Sequence, residues 1–116
     1  MLTCIALDDE PMALEVIKAH CQELAFIDLT HTFTQASKAA NHLRQFPVDL
    51  IFLDIQMPDV NGIQFYKNIR QEIMVIFTTA FSEYAVDGFQ VNAVDYLLKP
   101  IKFNRFQIAC EKANDY

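Results

Sequence analysis

Glycine is almost missing from this chain, with 2 residues in 116. Gly62 and Gly88 lack the companions that a dinucleotide fingerprint or a Walker-type phosphate loop requires, so neither nucleotide-cradling loop is present. Paired cysteines are missing as well. Cys4, Cys21 and Cys110 are odd in number and far apart, and no C-x-x-C pair occurs, which removes zinc and thioredoxin-like sites. Free thiols packed among apolar residues in a reducing cytosol fit better than a disulfide framework. Basic charge is short, at 9 Lys and Arg against 15 Asp and Glu, for a net charge of −6. A grip on nucleic acid needs clustered Lys and Arg, so binding of nucleic acid by this chain itself is disfavoured. No apolar run approaches the ~18 residues of a membrane span, and no basic stretch precedes the apolar residues at the N-terminus, as a signal peptide needs. These absences predict a soluble, cytoplasmic protein with no membrane part.

What is present is enough apolar material, 53% of residues, for one core, and a length that suits a single domain over residues 1–116. Short apolar runs alternate with amphipathic stretches. Thr3 to Leu7 reads as a strand stopped by Asp8-Asp9-Glu10-Pro11, with Pro11 suited to a first helical turn and acids to its positive end. Leu14, Ile17, Cys21 and Leu24 recur at helical spacing. Ile27, Leu29, His31 and Phe33 alternate with polar residues as in a half-buried strand, and Ala36, Ala39, Ala40 and Leu43 give a second helix ended before Pro47. Leu50 to Leu53 is apolar throughout, as in a strand covered on both faces. After the turn-rich loop Met57 to Gly62, Phe65, Tyr66 and Ile69 mark a third helix. Met74 to Phe77 is a fourth strand ending in Thr78-Thr79. Tyr84, Ala85, Gly88 and Phe89 suggest a short fourth helix weakened by its glycine. Val94 to Leu98 is a fifth strand, and Phe103, Phe106, Cys110 and Ala113 lie on a last helix.

Five strand–helix alternations without a repeat predict an α/β fold, a doubly wound parallel five-stranded sheet with helices on both faces. The polar second strand belongs at an edge, and right-handed crossovers give the order 2-1-3-4-5 of flavodoxin-like folds. Chemistry in such sheets lies beyond the carboxyl ends of the strands. There the sequence places Asp8 and Asp9, Asp54, Thr79, and Lys99-Pro100. Clustered carboxylates repel unless a cation intervenes. An acid-rich oxygen site without His or Cys suits Mg²⁺, and a carboxylate near a metal, a lysine and a hydroxyl is a plausible phosphoryl acceptor.

The runs Leu7-Asp8-Asp9-Glu10-Pro11, Phe52-Leu53-Asp54-Ile55-Gln56-Met57-Pro58-Asp59-Val60-Asn61-Gly62, Thr79-Ala80 and Asp95-Tyr96-Leu97-Leu98-Lys99-Pro100 together resemble the receiver domain of bacterial two-component response regulators, over essentially the whole chain. Phe77 to Ala85 and Ala93 to Ile101 resemble the LytTR-type subfamily, in which a receiver usually precedes a DNA-binding domain. The resemblance implies Asp54 as phosphoacceptor from a sensor histidine kinase, Mg²⁺ held by Asp9, Asp54, the backbone carbonyl of Gln56 and, in support, Asp8, and Lys99 paired with the acceptor and then with the phosphoryl oxygens. It also implies Thr79 as the hydroxyl that moves to the phosphoryl group, Tyr96 as the aromatic that follows it, and a cis peptide before Pro100. Only the backbone of Gln56 is required, leaving its side chain free to vary, although Gln56 and Phe81 flank the site and affect hydrolysis of the acyl phosphate in the family. The face of the fourth helix, fifth strand and fifth helix often mediates dimerisation or output. Lys102, Arg105 and Lys112 lie close to it, with Asp87, Asp95 and Glu111 as opposite charges, which points to a phosphorylation-dependent homodimer. The chain then reads as a receiver excised from a longer regulator that binds DNA through another domain, and as a switch that catalyses its own phosphorylation and dephosphorylation rather than a turnover enzyme.

Each residue has a plainer reading alone. Asp8 and Asp9 can cap a helix, Asp54 can end a strand, Thr79 can belong to a turn, Lys99 can be solvated and Tyr96 can be half-buried packing. Their joint occurrence is what those readings leave unexplained. His20 and His42 are expected solvated on polar helix faces, and His31 packed on the apolar face of its strand. Three rival functions are a pseudo-receiver serving as a stand-alone interaction module, an aspartyl phosphatase of another fold, and an FMN-binding flavodoxin-like module. The intact set Asp9, Asp54, Thr79 and Lys99 opposes the first. The second uses an acid where Gln56 stands, and the third needs a hydroxyl-rich loop where Asp8-Asp9-Glu10 would repel phosphate.

Overall fold

Strand β1 (Leu2–Leu7) sends alternate side chains to opposite faces, and both sets are buried. That double burial sets the architecture, because a strand apolar on both sides must be covered on both sides. The computed structural model describes residues 1–69, 72–81 and 92–115. Along these, β1 is followed by α1 (Pro11–Gln22), β2 (Ile27–Phe33), α2 (Ala36–Gln45), β3 (Leu50–Asp54), α3 (Gly62–Lys67), β4 (Met74–Thr79), β5 (Asp95–Leu98) and α4 (Phe103–Asn114). The expected helix through Tyr84, Ala85, Gly88 and Phe89 lies outside the described residues, as does Asp87.

The sheet is parallel throughout, in the order β2-β1-β3-β4-β5. Two cores lie on its faces. Cys4, Ala6, Leu50, Phe52, Ile76 and Leu97 meet Leu14, Ile17 and Cys21 of α1 and Phe106, Ala109, Cys110 and Ala113 of α4. Ile5, Leu7, Ile51, Leu53, Val75 and Phe77 meet Ala39 and Leu43 of α2 and Phe65 and Tyr66 of α3. The alternation of neighbouring residues between the two clusters is the period-two signature of a pleated strand. The three cysteines are buried and free. Burial pushes the Cys21 thiol up to about 12 and those of Cys4 and Cys110 higher still, so they pack as small apolar groups.

Strand β2 differs from its expected form. Its register against β1 slips between Cys4 and Ile5, pairing Cys4 with Leu29 and Ile5 with His31. Thr30 is the extra residue, and its hydroxyl donates to the carbonyl of Cys4 at 3.3 Å. A bulge moves the following side chains to the opposite face. Ile27 and Leu29 therefore pack on the α1 side and Phe33 on the α2 side.

The histidine expectations are corrected accordingly. His31 is exposed rather than packed in the core, with its ring 4.4 Å from that of His42. His42 is half-buried against Phe33 and Phe46. Burial and then His31 hold it below the usual histidine range. His20, also expected in solvent, bridges two elements. Its Nε2 donates to the carbonyl of Ile101 at 2.8 Å, and its ring lies against Phe103 and Phe106. A helix's polar face ceases to be solvated where a neighbouring loop lies over it, and helical periodicity carries no signal of that loop.

Candidate functional site

All five strands run the same way, so their carboxyl ends share one rim. Asp8 and Asp9 follow β1, Asp54 closes β3, Thr79 closes β4 and Lys99 follows β5. The fold brings the three aspartates together: one carboxylate oxygen from each of Asp8, Asp9 and Asp54 lies within 4.8 Å of the others. Asp8 and Asp54 are buried, whereas Asp9 is half-exposed at the mouth. Beside Asp9, a cleft of about 380 Å³ runs between the loop after β2 and the loop after β3, past Met57, Pro58 and Asp59.

Lys99 lies over this cluster, with its Nζ 2.9 Å from Asp8 Oδ2, 3.3 Å from Glu10 Oε1 and 3.5 Å from Asp54 Oδ1. Burial alone would lower the lysine, but Asp8, Asp54 and Glu10 outweigh it and raise its affinity for the proton. Asp54 moves the other way from an ordinary carboxylate. Burial, then the charge of Asp8, push it up to about 7 against the opposing pull of Lys99. One ammonium does not neutralise three carboxylates, and a hard cation would complete the balance. The all-oxygen donor set fits Mg²⁺: Asp8, Asp9 and Asp54 are the side chains that would hold it.

Several local devices fix these positions. Asp8 does not cap α1. The N-cap is Glu10, whose side chain makes no capping bond, and Asp8 Oδ1 instead accepts the backbone N–H of Glu10 at 2.9 Å. Lys99 and Pro100 are joined by a cis peptide. Beyond Asp54 the chain closes a tight loop, in which the N–H of Gly62 donates to the carbonyl of Ile55 at 2.8 Å and Gln56 pairs with Asn61. A Cβ on Gly62 would stand 2.1 Å from the backbone oxygen of Asp54, so only glycine lets the loop close against the acid. Asn61 caps α3, accepting from the N–H groups of Ile63 and Gln64.

Thr79 is fully buried. Its Oγ1 accepts from the N–H of Phe81 at 3.0 Å and donates to Oε1 of Gln56 at 2.8 Å. The Gln56 side chain, whose identity the resemblance leaves free to vary, is thus engaged with the strand-end hydroxyl. Tyr96 stacks on Phe77 with ring centroids 5.2 Å apart and is half-buried. Asp95, one residue before it, is claimed within the chain by a two-pronged contact from Arg105 at 2.7 and 2.8 Å and by Lys112 at 3.0 Å. Burial would raise Asp95, but Arg105 and Lys112 hold it below the usual carboxylate range.

Sequence reasoning assigned no role to Glu10 or to the missing Cβ of Gly62, and it placed Gln56 beside the site without its contact to Thr79. Two had a signal: Glu10 extends the acidic run, and Gly62 is one of only 2 glycines. The Gln56–Thr79 contact spans 23 residues and had none.

A family model described as the response regulator receiver domain matches residues 4–111. The sensory transduction protein LytT of Oceanobacillus iheyensis is 38% identical over 110 residues, covering 90% of this chain and 45% of that protein. The transcriptional regulatory protein BtsR of Escherichia coli is 35% identical over 109 residues, covering 92% and 46%. The chain thus spans less than half the length of these relatives. Among solved structures, the response regulatory domain of mrkE from Klebsiella pneumoniae superposes with a TM-score of 0.83 at 25% identity, covering 99% of this chain and 100% of that one.

Proposed function

The chain belongs to the response regulator receiver family, and from that premise we propose that it accepts a phosphoryl group on Asp54 from a sensor histidine kinase, with Mg²⁺ held at the acid cluster, and changes conformation as a result. The observation that carries this reading is the union, at one rim, of three aspartates within 4.8 Å and a lysine that reaches two of them.

The chemistry asks for position and charge more than for acid–base groups. An ionised Asp54 oxygen attacks phosphorus in line as the donor's bond to phosphorus breaks, leaving an acyl phosphate on the aspartate. Mg²⁺, when bound, supplies charge neutralisation for the phosphoryl oxygens. Asp8 and Asp9 keep the rim negative enough to hold it, with the backbone carbonyl of Gln56 as the further protein ligand. Lys99, drawn toward Asp54 in the unphosphorylated protein, shifts to the phosphoryl oxygens and compensates the added charge. Thr79 turns its hydroxyl to the same group, and Tyr96 follows into the space released. Water later hydrolyses the acyl phosphate. Phe81, half-exposed beside Thr79, stands where bulk would slow that step. The protein is thus a switch that carries out its own phosphorylation and dephosphorylation.

The output assigned to this switch is transcriptional, through a LytTR-type DNA-binding domain in a longer chain. That assignment draws on the similarity to LytT and BtsR and on their length. A homodimer in the phosphorylated state, through the expected fourth helix together with β5 and α4, is the accompanying proposal. The ion pairs of Asp95 with Arg105 and Lys112 are the contacts it would have to exchange or extend.

The test is mass spectrometry after incubation with a small acyl phosphate and Mg²⁺. One phosphoryl group adds to the wild type and none to Asp54→Ala. Equal yield in the variant overturns the assignment of Asp54.

A further inference from the structure

Thr79 Oγ1 has one proton to give, and where that proton goes decides what the hydroxyl can do. The N–H of Phe81 only donates, so the hydroxyl accepts there, and its proton is left for an acceptor. Among the described residues two acceptors are in range, Gln56 Oε1 at 2.8 Å and the Phe81 carbonyl at 3.5 Å, and the shorter contact takes it. The other end of the same amide is unbalanced: Gln56 Nε2 is buried without a hydrogen-bond partner among the described residues. The glutamine reaches the threonine because the loop closed by Gly62 N–H on Ile55, and by the pairing of Gln56 with Asn61, holds its backbone against the end of β3.

We infer that Gln56 is a positioning residue that latches Thr79 in the unphosphorylated protein, its side-chain carbonyl holding the hydroxyl proton that must be released before Thr79 can serve a group on Asp54. This rests on the proposed reading of Asp54 as acceptor and adds to it the element that sets the resting position of the switch. The latch is shallow by construction. It makes one neutral hydrogen bond and leaves a buried amide donor unsatisfied, a state whose cost offsets much of the bond. A phosphoryl oxygen arriving at the site offers both groups a partner: the hydroxyl proton leaves Oε1, and Nε2 gains an acceptor. The exchange favours release only when that anion is present, which is what a phosphorylation switch requires of its resting contact.

Two substitutions separate this role from general packing. Gln56→Met keeps the length and removes the acceptor, whereas Gln56→Glu keeps an acceptor in the same place. In unphosphorylated protein, three-bond NMR couplings report the Thr79 side-chain rotamer, and the ring signals of Tyr96 report the neighbouring aromatic. Gln56→Met is expected to shift the Thr79 rotamer populations about twofold toward release, as the loss of a hydrogen bond at the weak end of the net range permits, and to move Tyr96 with it. Gln56→Glu is expected to retain the wild-type Thr79 rotamer. Unchanged Thr79 couplings in Gln56→Met, or the same shift in both variants, overturn the latch. The measurement needs no phosphodonor, so it stands apart from the acceptor assignment. A released Thr79 in Gln56→Met together with undiminished phosphorylation of Asp54→Ala would keep the latch and remove the reading of Asp54.

Discussion

Asp54 is the residue at which burial and the proposed function pull in opposite directions. An aspartate in an unfolded chain titrates at its ordinary value of 3.8, while burial and Asp8 raise the folded one to about 7. Between those values the native state binds more protons than the unfolded state, so the contribution of this group to stability is whole below pH about 3.8 and is lost as pH rises through about 7. Asp54→Asn removes the ionisable group. Its gain in stability in metal-free buffer is expected to grow from pH 4 to pH 7 and then level off, reaching on the order of a few kcal/mol. Denaturant unfolding of both proteins across that range checks it, and a gain independent of pH would contradict the raised carboxyl. The same residue-level view explains why Lys99 is more than a surface ammonium. Of its three carboxylate partners, Asp8 and Asp54 are almost wholly buried, and breaking one half of a buried ion contact leaves the other uncompensated.

Among the elements, the loop between β3 and α3 meets three demands at once. It must turn the chain just beyond Asp54, present Gln56 to Thr79 and start a helix at Asn61 and Gly62. The backbone oxygen of Asp54 fills the space of a Gly62 side chain, so Gly62→Ala forces either the loop or the acid to move. The expected cost is about 1–3 kcal/mol, the usual range for overpacking, with more where backbone must give. A lower phosphorylation yield at Asp54 should accompany it. Chemical denaturation and the phosphoryl mass assay read the two effects, and a variant equal to wild type in both would show that the contact yields freely. Strand β2 gives the contrasting lesson. Its alternating residues announce a strand, yet the bulge at Thr30 splits them between two faces. Periodicity reports local conformation, whereas the extra residue is decided by pairing with β1.

At the scale of the whole molecule, a cation held at the acid rim as proposed would couple its binding to stability. A ligand at ten times its dissociation constant that binds only the folded state stabilises it by about 1.4 kcal/mol. Mg²⁺ at that level should raise the melting temperature accordingly, more at pH 8 than at pH 6, because below about 7 a proton competes for Asp54. Asp9→Asn should remove most of the effect. Equal melting temperatures with Mg²⁺ and with chelator would refute a metal site at this rim. By itself, the sequence determined the fold class, the strand order and the identity of the rim residues, because apolar runs, edge polarity and the residues ending each strand are local properties that a parallel sheet then aligns. Only the tertiary structure decided that Lys99 lies closest to Asp8 and also meets Glu10, that His20 bridges to Ile101, that Arg105 and Lys112 close on Asp95 within the chain, and that Gln56 holds Thr79. Each of these depends on ångström-scale side-chain placement between segments distant in sequence, and no periodicity or spacing records that distance.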